Sequence, residues 1–249
     1  MTSQLPYLLR LADNPLILGQ RLSEWCGHSP VLEEDLALTN VALDLIGQAR
    51  LLLAYAAEIE GKDRDEDQLA FLRPEHEYRN CTLVELPNGD FGRTVMRNFL
   101  FSSFQVLLWE ALQRSRDTEL AGIAAKSIKE ARYHLRHAAD WIVRLGDGTD
   151  ESHARVQSAL EYLWPYTAEL FTSDAIEEQA AVDGVGVVGA SLEPAWEAST
   201  RAVLKEATLS VPERTRFRSR GKDGVHSEHM GHLLTEMQYM QRTYPGAQW

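Results

Sequence analysis

Residues 31–60 commit the chain to a helical architecture before any other feature is weighed. Apolar side chains recur at helical spacing from Leu36 through Leu43, Ile46, Leu51 and Leu53 to Ile59, with no proline among them. Glu33, Glu34 and Asp35 stand where the positive end of a helix dipole would lie, and Gly61 supplies the stop. About thirty residues of helix make a rod about 45 Å long. Such a rod is long for a globular helix and normal for a helical bundle.

Other rods accompany it. After the turn Pro87-Asn88-Gly89-Asp90, Asp90 caps a helix predicted over 91–116; Asp117-Thr118 opens another, which ends at Gly146-Asp147-Gly148. Upstream, 5–11 and 15–25 read as two helical stretches, with Asn14-Pro15 as the start signal of the second and Gly27-His28-Ser29-Pro30 as its end. Residues 62–80 form a charged connector around Pro74, long enough for a crossover or a surface excursion. Helical pattern resumes over 150–170, kinked or divided at Pro165, and then over 174–182, 192–209 and 225–244. With no convincing period-2 segment anywhere, the expected class is all-α. One domain is expected across 1–249, with a core bundle over about 14–146 and additional C-terminal helices over about 150–244.

The predicted helix at 91–116 is apolar almost all round, with Phe99, Leu100, Phe101, Phe104, Val106, Leu107, Leu108 and Trp109. A helix without a polar face is buried on several sides, either centrally in its own domain or under a partner chain. The charge balance narrows the partners: 37 Asp and Glu against 25 Lys and Arg leave a net −12, which argues against general affinity for nucleic acid or anionic membrane. Cys26 and Cys81 cannot build a disulfide framework and suit a reducing cytoplasm. No basic n-region precedes Arg10 and no run approaches the ~20 apolar residues of a membrane span, so a soluble cytosolic chain is expected.

Chemistry, if present, would centre on 127–141, where Glu130, His134 and His137 fall within about 60° on one helix face. A di-metal site in a four-helix bundle takes a single carboxylate from each of two helices and Glu-x-x-His from each of the other two. Gln20 precedes Asp44 by 24 residues and Gln105 precedes Glu130 by 25, so the four long helices read as two hairpins. Glu24 or Glu110 would serve if that alignment slipped by a turn. Asp44 and Glu130 occupy plausible inner positions, but Gly47 and Tyr133 stand three residues on, where imidazoles are needed. Amides stand where single carboxylates would, and the site loses most of the anionic charge that holds two cations. His134, one residue late, would reach a metal only if the helix rotated or carried a π-bulge. Without metal, buried Asp44 and Glu130 need partners, for which Arg50, Arg132 and Arg136 are the candidates.

Three other patterns carry less. Gly184-Val185-Gly186-Val187-Val188-Gly189 matches the dinucleotide fingerprint in letters, but an acidic helix precedes it where a buried strand is required, so a flexible inter-helix loop is expected. His226, His229 and His232 cannot all face one ion from one helix. Arg214, Arg216, Arg218, Arg220 and Lys222 are the one basic cluster, read either as a solvated loop or as a dock for phosphate or an acidic partner.

Taken in order, Ala42-Leu43-Asp44-Leu45-Ile46-Gly47-Gln48-Ala49, Lys129-Glu130-Ala131-Arg132-Tyr133-His134 and the C-terminal His229-Met230-Gly231-His232-Leu233-Leu234-Thr235-Glu236-Met237-Gln238-Tyr239-Met240, followed by Tyr244-Pro245-Gly246-Ala247-Gln248-Trp249, support a resemblance over the whole chain. The chain resembles the helical subunits of bacterial ring 1,2-phenylacetyl-CoA epoxidase, a multicomponent monooxygenase of aerobic phenylacetate breakdown, and among them the structural rather than the catalytic kind. That resemblance implies a ferritin-like fold and a hetero-oligomer with a homologous catalytic subunit that holds the di-iron centre and binds the CoA ester. It also implies an NADPH-dependent reductase with flavin and iron–sulfur cofactors, and a small accessory subunit. No cofactor is expected in this chain, and its function is read as a non-catalytic scaffold. The alternative is an active di-metal oxygenase using Asp44, Glu130 and His134; a third reading makes the Arg214–Lys222 cluster a dock for CoA phosphates or the reductase.

Overall fold

The computed structural model describes residues 4–247, so Met1, Thr2, Ser3 and the closing Gln248 and Trp249 of the C-terminal motif lie outside it. Among the described residues there is no strand, only an isolated antiparallel bridge between Arg220 and Val225. The fold is all-α and ferritin-like. The chain forms two compact units, one taking the residues up to Pro87 and those from Ser219 onward, the other Asn88–Arg218. Each unit is built on one hairpin of long helices.

The first unit pairs α1 (Gln4–Ser23) with α2 (Leu32–Glu60). At Gly19 the two helices approach so closely that a Cβ would lie 2.9 Å from Cγ1 of Ile46. Gly61 ends α2 with φ +64, a left-handed conformation that glycine adopts without steric cost. The break expected at Asn14-Pro15 does not occur: α1 runs through Pro15. Tertiary contacts hold that turn. The Asn14 side chain donates to the Arg10 carbonyl and accepts from the backbone N–H of Cys81, while Asp13 accepts from the backbone N–H of Arg79. The connector after α2 is partly helical, with α3 (Glu66–Phe71) under an Asp65 capping box and α4 (Thr82–Glu85). Helix α11 (Glu228–Thr243) closes the unit, burying Met230, Leu233, Leu234 and Gln238.

At the centre of this unit lies a fully buried ion pair. Arg73 reaches Asp13 with both terminal nitrogens, one of them at 3.0 Å, and lies 4.2 Å from the centroid of the Tyr78 ring. Gln238 from α11 donates to the Arg73 carbonyl and to the Tyr78 hydroxyl, which itself donates to the Ala70 carbonyl. Burial pushes the Tyr78 hydroxyl up to about 12, so it stays neutral throughout the useful pH range.

The second unit pairs α5 (Phe91–Leu112) with α6 (Thr118–Gly146), capped by Asp90 and Asp117 as the sequence indicated. Helix α5 ends a turn earlier than expected. Helix α7 (Asp150–Leu163) passes into a 3-10 turn at Pro165 and then into α8 (Ala168–Phe171). Helices α9 (Ala175–Val182) and α10 (Glu193–Glu206) complete the unit. Every residue of 94–105 is buried, so α5 is the core of this unit. Trp196 from α10 donates its indole N–H to the Leu100 carbonyl, and Phe104, Phe171, Trp196 and Trp164 form a chain of ring contacts at 5.0–5.8 Å. The glycine-rich segment after α9 is a fixed loop rather than a flexible one: Gly184 accepts from the Arg116 N–H, Val185 from the Ser115 hydroxyl, and Gly189 donates to the Glu177 carboxylate.

Replacing one member of a buried ion pair strands the other charge. Arg73→Met is therefore expected to lower unfolding stability by about 3–5 kcal/mol, and the double variant with Asp13→Asn by less than the sum of the two single losses. Urea denaturation of the three proteins measures this; additive losses would mean the two groups do not act as a pair.

Candidate functional site

The residues that would make a metal centre sit on α2 and α6, and what matters is which side of each helix they occupy. On α2 the buried line runs through Leu38, Val41, Ala42, Leu45, Gln48, Ala49 and Leu52. Asp44 is half-buried, and Gly47 is exposed with no atom within 4 Å of where its Cβ would be. On α6 the buried line runs through Ile123, Ser127, Ala131, His134 and Ala138. Glu130 is half-buried, and Tyr133 is exposed, stacked on His137 at 6.2 Å with the Arg136 guanidinium 5.8 Å from its ring.

The register expected from the sequence is thus one residue off. Gly47 and Tyr133 do not occupy vacated inner positions; they lie on outward faces. The buried pairs spaced i, i+3 at this level are Leu45 with Gln48 and Ala131 with His134. A Glu-x-x-His motif aimed into the helices would occupy these pairs, and both carboxylate positions hold hydrocarbon. His134 is inward without a rotated or bulged helix. Asp44 and Glu130 are not deeply buried charges, and Arg50 pairs with Glu66 at 3.2 Å on an exposed surface. Gln20 is half-buried, whereas Gln105 is buried on α5 with its Oε1 lacking a hydrogen-bond partner. Asn98 Oδ1 on the same face of α5 and Ser127 Oγ on α6 are in the same condition. Among the described residues, no three His, Cys, Asp or Glu side chains gather closely enough to hold a metal ion. The donors do not fit a di-iron centre: the buried i, i+3 pairs offer one amide on α2 and one imidazole on α6, with no carboxylate in either pair, where each helix would need Glu-x-x-His.

The other candidates separate likewise. Arg214 is engaged by Glu193 at 2.6 Å and Glu197 at 3.5 Å, Arg218 donates to the carbonyls of Thr215 and Phe217, and Arg220 pairs with Asp223. Arg216 is exposed, and Lys222 is buried in the first unit. Two of the five cations, Arg214 and Arg220, are thus paired with carboxylates of their own neighbourhood and Arg218 is tied to backbone, which counts against an anion dock. The three histidines take different roles: His226 is sequestered against Glu85, His229 offers its carbonyl to Arg21, and His232 is exposed.

The outer side of α2 carries no chemistry in the sequence and becomes plain only in three dimensions. Leu32, Leu36 and Leu43 are 70 %, 56 % and 62 % exposed, and with Gly47 they lie within about 60° on the side of α2 opposite its buried line. Helix α2 is therefore apolar on two faces, which is why it is long and apolar enough to cross a membrane on composition alone, against the expectation that no run would be. The same alternation on both sides is the available signal: Leu43 and Leu45 cannot face one way.

Fold and site together define a ferritin-like helical protein in which, among the described residues, no cluster of carboxylates and histidines of the metal-holding kind gathers. The chain belongs to the phenylacetic acid catabolic protein family, whose model matches residues 2–249. It is 52% identical over 243 residues, covering 98% of both chains, to the C component of the multi-subunit 1,2-phenylacetyl-CoA epoxidase of Escherichia coli (strain K12).

A carboxylate at the buried, unpartnered Gln105 would have no compensating charge. Gln105→Glu is expected to cost about 2–4 kcal/mol at pH 7.5, shrinking toward pH 5 as the buried acid takes up its proton. Thermal denaturation at the two pH values measures it; equal or greater stability at pH 7.5 would reveal a cation at this position.

Proposed function

We propose that this chain is the non-catalytic structural subunit of a cytoplasmic phenylacetyl-CoA epoxidase. It docks on a homologous di-iron subunit through the outer face of α2. The iron belongs to that partner, and flavin, iron–sulfur cluster and NADPH to the reductase; this chain contributes a folded helical surface. The observation that carries the reading is the set of exposed leucines, Leu32, Leu36 and Leu43, on one side of α2, since large apolar side chains grouped on an exposed helix face mark an interaction surface. The family and the relative named as one subunit of an epoxidase supply the kind of partner. Helix α5, whose apolar sequence first suggested the interface, is consumed by the chain's own core. No observation favours the alternative in which Asp44, Glu130 and His134 run a di-metal oxygenase, and the engaged arginines do not favour a phosphate dock.

The two kinds of apolar helix respond differently to substitution. Phe104→Ala in α5 is expected to destabilise the isolated chain by about 3–5 kcal/mol. Leu36→Glu with Leu43→Glu on α2 is expected to leave the melting temperature of the isolated chain within about 2 °C, because both side chains are already exposed. That double variant is expected to weaken association with the catalytic subunit at least about tenfold in a co-purification titration, with turnover per iron unchanged in whatever complex still forms. Undiminished association would remove α2 as the docking face. Loss of self-association, seen by light scattering, with the hetero-complex intact would assign these leucines to a second copy of this chain.

A further inference from the structure

Within the first unit, the C-terminal arm is seated on the N-terminal segment by a close fit that converges on one titratable contact. Residues 219–227 cross the segment 76–85 at two glycines. A Cβ on Gly221 would lie 2.4 Å from the Asn80 carbonyl oxygen, and one on Gly224, whose φ is +80, would lie 2.4 Å from that of His76. The arm then delivers His226 and Ser227 to the carboxylate of Glu85 in α4. His226 Nδ1 lies 2.7 Å from Glu85 Oε2, and the Ser227 backbone N–H donates to Oε1 at 2.6 Å. Asn80 Nδ2 donates to the same carboxylate at 2.8 Å. The side chains of His226 and Glu85 are both fully buried.

The second ring nitrogen decides the chemistry. His226 Nε2 lies 3.1 Å from the Tyr78 carbonyl oxygen, which can only accept. An imidazole with a carboxylate at one nitrogen and a carbonyl at the other satisfies both only when both nitrogens carry hydrogen, that is, as imidazolium. Deprotonation would turn a lone pair toward one of two acceptors in a site closed to water.

We propose that Glu85 and His226 form a pH-sensitive latch that holds helix α11 on the first unit, closed while His226 is protonated and released when it loses its proton. The groups around the imidazole come from every neighbouring element. Glu85 stands on α4, and Glu75 and the Tyr78 carbonyl on the turn at 75–78. Arg21 of α1 is bound to the backbone carbonyls of Glu85 and His229. Arg79 lies beside Gly224, and Glu228 is exposed at the start of α11. Burial alone would lower the His226 pKa, but its hydrogen bond to Glu85, the charge of that carboxylate and the Tyr78 carbonyl outweigh it and hold the value above the usual 6.5. A raised folded-state pKa gives stability that is fully present below 6.5 and is lost as pH rises through the raised value. Release would free Met230, Leu233 and Leu234 and the Gln238 contacts to Arg73 and Tyr78.

The test is hydrogen exchange of the full-length chain across pH 6–9.5, corrected for intrinsic rates, with the His226 titration followed by NMR of ring-labelled histidine. Protection of the amides in Glu228–Thr243 is expected to fall about tenfold in step with the His226 titration, while α5 and α6 keep theirs. In His226→Gln the step should vanish, with α11 protection about tenfold lower at pH 6 than in the parent. Protection of α11 that ignores the His226 titration, or a step that survives in His226→Gln, would overturn the latch. Should that variant not fold, the parent protein's exchange and NMR titration still decide it, because a His226 that titrates at or below 6.5 contradicts the assignment.

Discussion

One residue of register, about 100° around a helix, governs the character of this protein. On α2 and α6 the acidic residues Asp44 and Glu130 stand immediately before the buried line, so the positions that enter the interior are Leu45 with Gln48 and Ala131 with His134. At those positions the buried side chains are hydrocarbon, amide and imidazole. A carboxylate in any of those buried positions would have to stay ionised away from water without a paired charge; hydrocarbon, amides and a single imidazole do not.

The long helices differ in what they offer outward. Helix α5 is spent inside its own unit and α6 presents a charged and aromatic surface around Tyr133, Arg136 and His137. Helix α2 alone among the long helices keeps leucines on its exposed side, and its acidic first turn and Arg50 flank them with charge. A hydrophobic strip with a polar margin is the composition of a docking face, and it sits on the same helix whose inner face departs from a metal-binding pattern. An inner face of hydrocarbon and amide and an outer face of leucine are thus two consequences of one helix's sequence.

Much of this was legible from residues alone. The caps at Asp90 and Asp117 and the stop at Gly61 lay in plain view, because capping is a local interaction. The unbroken α1 was not, since the proline's cost is met by Asn14 and Asp13 contacts to residues more than sixty positions away. The Asp13–Arg73 pair and the Glu85–His226 contact escaped for the same reason, with separations of 60 and 141 residues. The inner register of α2 escaped for another: leucines on two faces leave the helical period without a single preferred direction. On α6 the information was present. Exposed Arg132, Tyr133 and Arg136 bracket a line of Ser127, Ala131, His134 and Ala138, and reading small residues as the buried side would have placed His134 inward from the start.

Whether this chain can hold iron is the decisive property. Anaerobic loading of the isolated full-length chain with ferrous iron, followed by desalting and metal analysis, measures it directly. The Leu45–Gln48 and Ala131–His134 pairs on the inner faces of α2 and α6 predict far less than one iron per isolated chain. About two irons retained per isolated chain, the complement of a di-iron bundle, would contradict it.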